Sequence, residues 1–271
     1  MLGAARTAQI AGWQSPPGPA NARRTGTAST NASLTWTANN GATTSSTQYK
    51  FGNASERLTA GSTDISSAST TIGGFGTTDF TIECWIYLDT LANYASSGIS
   101  NDVYSHDVSY GFGFRLAQNY NNNGLGSGAN AKYLNIFARA QADLDYWTLP
   151  TTWPTGSWNF LVIQRKSGSF AAWLNGTVLS KSNASSSYNF DTGSASLRVG
   201  TADGGNGLNN IVGGATSYSY IDEFCISNTY RYDDPTANIP VPTSDFTVDS
   251  YTVQLLHMDG TNGGTSFANA T

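Results

Sequence analysis

From about residue 47 onward, short runs of apolar, aromatic and β-branched residues alternate with turns of Gly, Asn and Ser. Phe80-Thr81-Ile82-Glu83-Cys84-Trp85-Ile86-Tyr87-Leu88 is the densest run, and it follows the turn Gly73-Gly74-Phe75-Gly76. That pattern predicts a strand. Residues 110–116 and 133–138 alternate in the same way. Residues 158–165 lead through Lys166-Ser167-Gly168-Ser169 into residues 170–174, which meet Asn175-Gly176 and continue as residues 177–179. Asn-Gly between alternating runs is the strongest short hairpin signal. Residues 197–200, 220–226 and 252–258 complete the set, and no helical periodicity lasts longer than a turn or two. The pattern predicts an all-β, two-sheet antiparallel sandwich. Trp85, Trp158, Ile163, Leu174, Phe224 and Leu256 are its expected core.

Residues 1–45 read differently. They contain Ser15-Pro16-Pro17-Gly18-Pro19, the pair Arg23-Arg24 and a stretch rich in Thr, Ser, Asn and Ala. Proline removes backbone donors and fixes φ, so this part is expected to be an extended arm, with the sandwich domain spanning residues 46–271. Alone, such an arm buries too little apolar area to offset its ordering entropy. Its anchors, Leu2, Ile10, Trp13 and Trp36, point to docking on a neighbouring subunit or a host shell. Trp13 is expected to fill a pocket there and Arg23 and Arg24 to meet carboxylates.

Composition narrows the function classes. Only 11% of the 271 residues are charged, 12% are aromatic, 29 are Gly, and the net charge is −5. No basic stripe exists to follow phosphates, so nucleic acid is excluded as a partner. No apolar run reaches the length needed to cross a membrane as a helix, and Met1 to Gly12 has no apolar signal-peptide core. The two cysteines, Cys84 and Cys225, make no disulfide scaffold and are expected to be buried, reduced thiols.

Catalytic chemistry finds little to work with. Glycoside hydrolysis needs two carboxyls facing one bond. The three glutamates, Glu56, Glu83 and Glu223, fall on three different strands. Asp143 and Asp145 share a face beside Tyr146 and Trp147 but lack a matched second acid. His106 lies in a polar stretch and His257 in a strand, neither with a nucleophile beside it. Calcium has possible oxygen ligands in Asn101-Asp102, Asp203-Gly204-Gly205-Asn206 and Asp233-Asp234, although such residues also simply form turns. No other cofactor is indicated. Aromatics in or near polar loops, Tyr104, Tyr120, Tyr146 and Trp147, are candidates for glycan or partner contact.

Four segments in order carry a family resemblance. They are Asp79-Phe80-Thr81-Ile82-Glu83-Cys84-Trp85-Ile86-Tyr87; residues 157–165 with Trp173-Leu174-Asn175-Gly176; Tyr220-Ile221-Asp222-Glu223-Phe224-Cys225-Ile226-Ser227 with Arg231-Tyr232; and Leu255-Leu256-His257-Met258-Asp259-Gly260. Together they resemble the concanavalin A-like (laminin G/pentraxin-type) jelly-roll domains, in particular the branch recurring in phage virion appendage proteins. The resemblance implies a non-enzymatic virion structural protein: a bacteriophage capsid decoration, knob or tail appendage. Such a protein is made in the host cytoplasm and assembles with itself as a homo-oligomer and with other virion proteins. It also implies contact with host-surface glycans, the alternative being a stand-alone carbohydrate-binding module. The sequence departs from relatives at Ala60, where they often carry an Asp. The last segment either closes the sandwich or belongs to a permuted order.

Overall fold

The computed structural model describes residues 20–27, 32–59, 63–89, 99–106, 112–118, 132–138, 143–149, 153–181, 189–190, 193–201 and 218–270. Its first eight strands are β1 (Trp36–Asn39), β2 (Thr43–Ser45), β3 (Ser55–Leu58), β4 (Asp64–Ser67), β5 (Phe80–Leu88), β6 (Ile99–His106), β7 (Phe112–Gln118) and β8 (Lys132–Ala138). Next come β9 (Asp143–Thr148), β10 (Trp158–Lys166), β11 (Ser169–Leu174), β12 (Thr177–Val178) and β13 (Ser180–Lys181). The last three are β14 (Leu197–Val199), β15 (Ser219–Ser227) and β16 (Thr252–Leu256).

These strands form two antiparallel sheets. The first has the order β1-β4-β14-β6-β7-β8-β9-β13 and the second β12-β11-β10-β5-β15-β3-β2. β16 lies beside β15 on the stretch that β3 leaves free, so the C-terminal strand closes the second sheet. The fold is the two-sheet jelly-roll sandwich that the pattern predicts.

Apolar residues occupy two layers rather than one. Ile82, Cys84, Ile86, Leu88, Leu161, Ile163, Phe224 and Leu256 point between the sheets and meet Ile65, Leu134, Ile136 and Trp147 of the first sheet. Trp85, Phe160, Val162, Trp173 and Cys225 point the other way, onto the outer face of the second sheet. There they are covered by Tyr232, Ile239, Phe246 and Ala270 from the chain after β15. Burial on both faces explains why β5 and β10 read as nearly continuous apolar runs. The same geometry separates the cysteines. Cys225 pairs in register with Glu83, one residue from Cys84, but the two thiols face opposite layers and both are free.

The β11–β12 hairpin turns on Asn175 (φ 50°) and Gly176 (φ 80°), the left-handed pair that a two-residue turn requires. A Cβ at Gly176 would lie 2.5 Å from the Ile239 carbonyl oxygen, so the turn also seats the covering chain.

The expected boundary at residue 45 is too late. β1 and β2 already belong to the two sheets, and Trp36 is packed between them instead of serving as an arm anchor. The reason is the Asn40-Gly41 turn, with φ of 51° and 91°, which lets the chain cross from one sheet to the other. Five of the six expected core residues are buried, whereas Trp158 keeps part of its ring at the surface.

Candidate functional site

The polar chemistry of the described residues concentrates on the outer face of the second sheet. Glu83 projects outward from β5 and is fully buried there. Arg23 donates to it from Nε (2.9 Å to Oε2) and Nη2 (2.8 Å), and the Tyr232 hydroxyl donates at 2.7 Å to Oε1. Burial alone would weaken the Arg23 charge, but Glu83 outweighs it and holds the guanidinium above its usual range. Burial, and then the Glu83 charge, push the Tyr232 hydroxyl up, so it remains a donor.

Arg231 makes the neighbouring clamp. It grips Asp249 through Nη1 (2.6 Å) and Nη2 (2.8 Å) and donates to Ser227 Oγ (2.7 Å) and the Arg24 carbonyl (2.9 Å). The bidentate fork suits a carboxylate. Burial would raise Asp249, yet Arg231 and the amides of Gly26 and Tyr251 hold it well below the usual range. Gln164 completes the cluster by accepting from the amides of Arg231 (2.8 Å) and Tyr232 (2.9 Å).

Residues 20–27 are therefore a strap across their own sandwich. Asn21 donates to the Asp234 carbonyl at 2.8 Å, and the Arg24 amide donates to the Arg231 carbonyl at 2.7 Å. A Cβ on Gly26 would lie 2.1 Å from Ser250 Oγ, so the strap fits tightly. This corrects the expectation for Arg23 and Arg24. Arg23 meets a carboxylate of its own chain. Arg24 lies over the rings of Tyr230 (4.3 Å) and Tyr251 (5.5 Å) and donates to the Tyr230 carbonyl. The buried Glu83 requires a cation, and Arg23, 60 residues earlier in the chain, supplies it.

A third clamp sits at the β15 bulge, where Glu223 has φ 51° and the register with β5 shifts. Simple alternation would place Asp222 on the face of Phe224 and Ile226. The bulge sends it instead to the outer face, where Oδ2 accepts the amides of Lys50 (2.7 Å) and Phe51 (3.2 Å). Burial, opposed by those amides, raises Asp222 to about 8. Glu223 accepts from the Phe246 amide (2.7 Å) and bonds His257 Nδ1 (2.6 Å). That hydrogen bond raises His257 above its usual value against partial burial.

The other candidates are dispersed. Trp147 is 1% exposed and packed between the sheets, because its register opposite Leu134 turns it inward. It therefore offers no surface platform, a correction to the sequence reading. Tyr104 and Tyr146 lie in β6 and β9, far apart in the first sheet's order. Tyr120 and Trp13 lie outside the described residues, as does Ala60. His106 is buried on β6 rather than solvated.

No acid–base pair for hydrolysis forms from these groups. Glu83 and Glu223 are committed to clamps, and Glu56 is buried in β3. Of the calcium candidates, Asn101 and Asp102 belong to β6, Asp203-Gly204-Gly205-Asn206 lie outside the described residues, and Asp234 accepts from its own turn at Thr236. Among the described residues no three His, Cys, Asp or Glu side chains surround a common point. Sequence reasoning missed the Glu83–Arg23 and Arg231–Asp249 pairs, which join positions 60 and 18 residues apart. The signal available was a charged residue inside an otherwise apolar strand.

A family model of the concanavalin A-like lectin/glucanases superfamily matches residues 59–232. No curated protein matches the chain. Among solved structures, domain 4 of an extracellular arabinanase from Geobacillus stearothermophilus, in complex with arabinotriose, is 15% identical at a TM-score of 0.42, covering 75% of this chain and 84% of that one. A heptameric pentraxin from Limulus polyphemus is 10% identical at a TM-score of 0.37, covering 78% and 77%. The enzymatically active domain of bacteriophage CBA120 tailspike protein 2 is 12% identical at 0.48, covering 82% of this chain and 33% of that one.

Proposed function

The chain belongs to the concanavalin A-like lectin/glucanases superfamily, and from that membership we propose a non-enzymatic structural role in a bacteriophage virion, as a capsid decoration, knob or tail appendage. One observation carries the non-enzymatic half: the carboxylates of the outer face hold chain segments together instead of facing a cleft. Glycoside hydrolysis requires two that are free to act.

The assembly half is supported by the strap. Residues 20–27 are fixed to the sandwich, so the assembly role proposed for the arm falls to the Pro/Gly sequence before them. Self-association and contact with other virion proteins are assigned to residues 1–19 as part of this proposal. The four motifs resembling the phage branch support the setting, and a glycan contact accompanies it. In the second reading, a stand-alone carbohydrate-binding module, the half-buried ring of Trp158 at the surface is the supporting observation.

Protein mass spectrometry of particles purified from the source tests the proposal. The chain is expected in fixed stoichiometry with the shell or tail proteins. Its absence from washed particles would overturn the virion role. Turnover of laminarin that disappears in Asp143→Asn would overturn the non-enzymatic role.

A further inference from the structure

On the outer face of the second sheet, one row of residues runs out from the edge of the covering layer, with Trp158 packed against that layer and Tyr220 buried beneath its neighbours. In register across β10, β5, β15 and β3 stand Trp158, Tyr87, Tyr220 and Arg57. The rings touch in sequence: Trp158 to Tyr87 at 5.6 Å, Tyr87 to Tyr220 at 5.8 Å, and Tyr220 to Tyr218 at 6.3 Å between centroids. Arg57 lies 5.3 Å from the Tyr218 ring. Lys50 flanks the row at its covered side, with Nζ 4.1 Å from the Trp85 ring. Three strand spacings give the row a length of about 14 Å.

We propose that this row is a binding site for an acidic saccharide. The inference deepens the glycan contact of the proposed function and rests on that reading. Successive rings are turned by 59°, 80° and 68°, so the surface is corrugated and presents both faces and edges. Flat nucleobases stack on parallel faces, whereas a sugar lays its C–H groups on one ring and its hydroxyls against the edge of the next. Tyr87, Tyr218, Trp158, Arg57 and Lys50 are all half-buried and form the accessible surface of the row, while Tyr220, 3% exposed, supports them from below.

Charge selects the acidic class. Among the described residues neither Arg57 nor Lys50 forms a salt bridge, and Arg57 makes no side-chain hydrogen bond. The nearest carboxylates are already engaged by backbone amides: Asp89 accepts from Tyr218 at 3.0 Å and Asp222 from Lys50 and Phe51. Around the row, Arg57 Nε, Trp158 Nε1 and Thr43 Oγ1 are buried without a hydrogen-bond partner. Such groups are normally paired, and these three lie beneath the row, leaving the outer nitrogens of the Arg57 fork to meet a ligand. A uronate or sialate carboxylate, or a sulfate, is the acceptor a guanidinium fork fits best.

A glycan array carrying neutral, uronic, sialylated and sulfated oligosaccharides, probed with the full chain, tests this. Retention of acidic saccharides over neutral ones is expected, weakening as salt rises. For the best acidic probe, titration calorimetry should show Arg57→Gln and Lys50→Gln each weakening binding about tenfold, and Tyr87→Ala at least as much, with Arg57→Gln melting like the parent. Acidic binding unchanged in Arg57→Gln and Tyr87→Ala would overturn this site while leaving the glycan contact standing. Equal retention of neutral saccharides would overturn the acidic class. No retention at all would remove both this site and the glycan contact.

Discussion

At the scale of single residues, the outer layer depends on a few side chains that the chain pattern makes look ordinary. Arg23→Ala leaves Glu83 as a buried, uncompensated carboxylate and is expected to lower stability by roughly 3–5 kcal/mol. Adding Glu83→Gln should return part of that loss. Urea unfolding followed by tryptophan fluorescence checks both, and a double variant as weak as the sum of the singles would contradict the coupling. Trp85 lies 5.2 Å from Phe160 and 5.9 Å from Phe51. Trp85→Ala should remove about 3–5 kcal/mol. Trp85 was legible as core because it sits in a dense apolar strand. Arg23 was not, since nothing in a Pro/Gly-rich segment marks which strand face its charge will meet.

At the scale of elements, the β15 bulge governs what β16 and the covering chain can hold. His257 is raised by Glu223, and Asp245 and Asp259 act in the same direction. Its contribution to stability is therefore fully present below about pH 6.5, the unfolded value, and is lost as pH rises through the higher folded value. Asp249 has the opposite sign. Being depressed by Arg231, it stabilises above the ordinary carboxylate range and loses that contribution as pH falls. Asp222, raised to about 8, adds a loss of stability as pH climbs from the ordinary carboxylate range toward 8. Thermal midpoints are thus expected to fall toward acid through Asp249 and toward alkali through Asp222 and His257 together, and His257→Gln should reduce the alkaline loss without removing it. An alkaline limb unchanged in His257→Gln would contradict the latch. Strands and hairpins were readable here because side-chain period and Asn-Gly chemistry are local. The bulge was not, because one inserted residue with φ 51° leaves the apolar pattern intact while reversing which face Asp222 occupies.

At the scale of the whole molecule, the chain builds a sandwich with an additional apolar layer outside it. The second layer explains the N-terminal segment better than composition does. Residues 20–27 and 36–45 belong to the folded body, so an arm ending at 45 overestimates its own length. Fold class was legible because four motifs fall in strand order. The first-sheet aromatic Trp147 misled, since its position near polar residues conceals an inward register. The row of Trp158, Tyr87, Tyr220 and Arg57 was invisible in sequence because its members come from four strands whose pairing only the fold supplies. The central claim is that the sandwich owns the strap while residues 1–19 serve assembly. Native mass spectrometry on the full chain and on truncations removing residues 1–19 or 1–27, each paired with a thermal melt, tests it most directly. The account expects the shorter truncation to melt like the full chain yet run as a monomer, and the longer one to lose stability as well. A shorter truncation that still assembles like the full chain, or a longer one that melts unchanged, would contradict it.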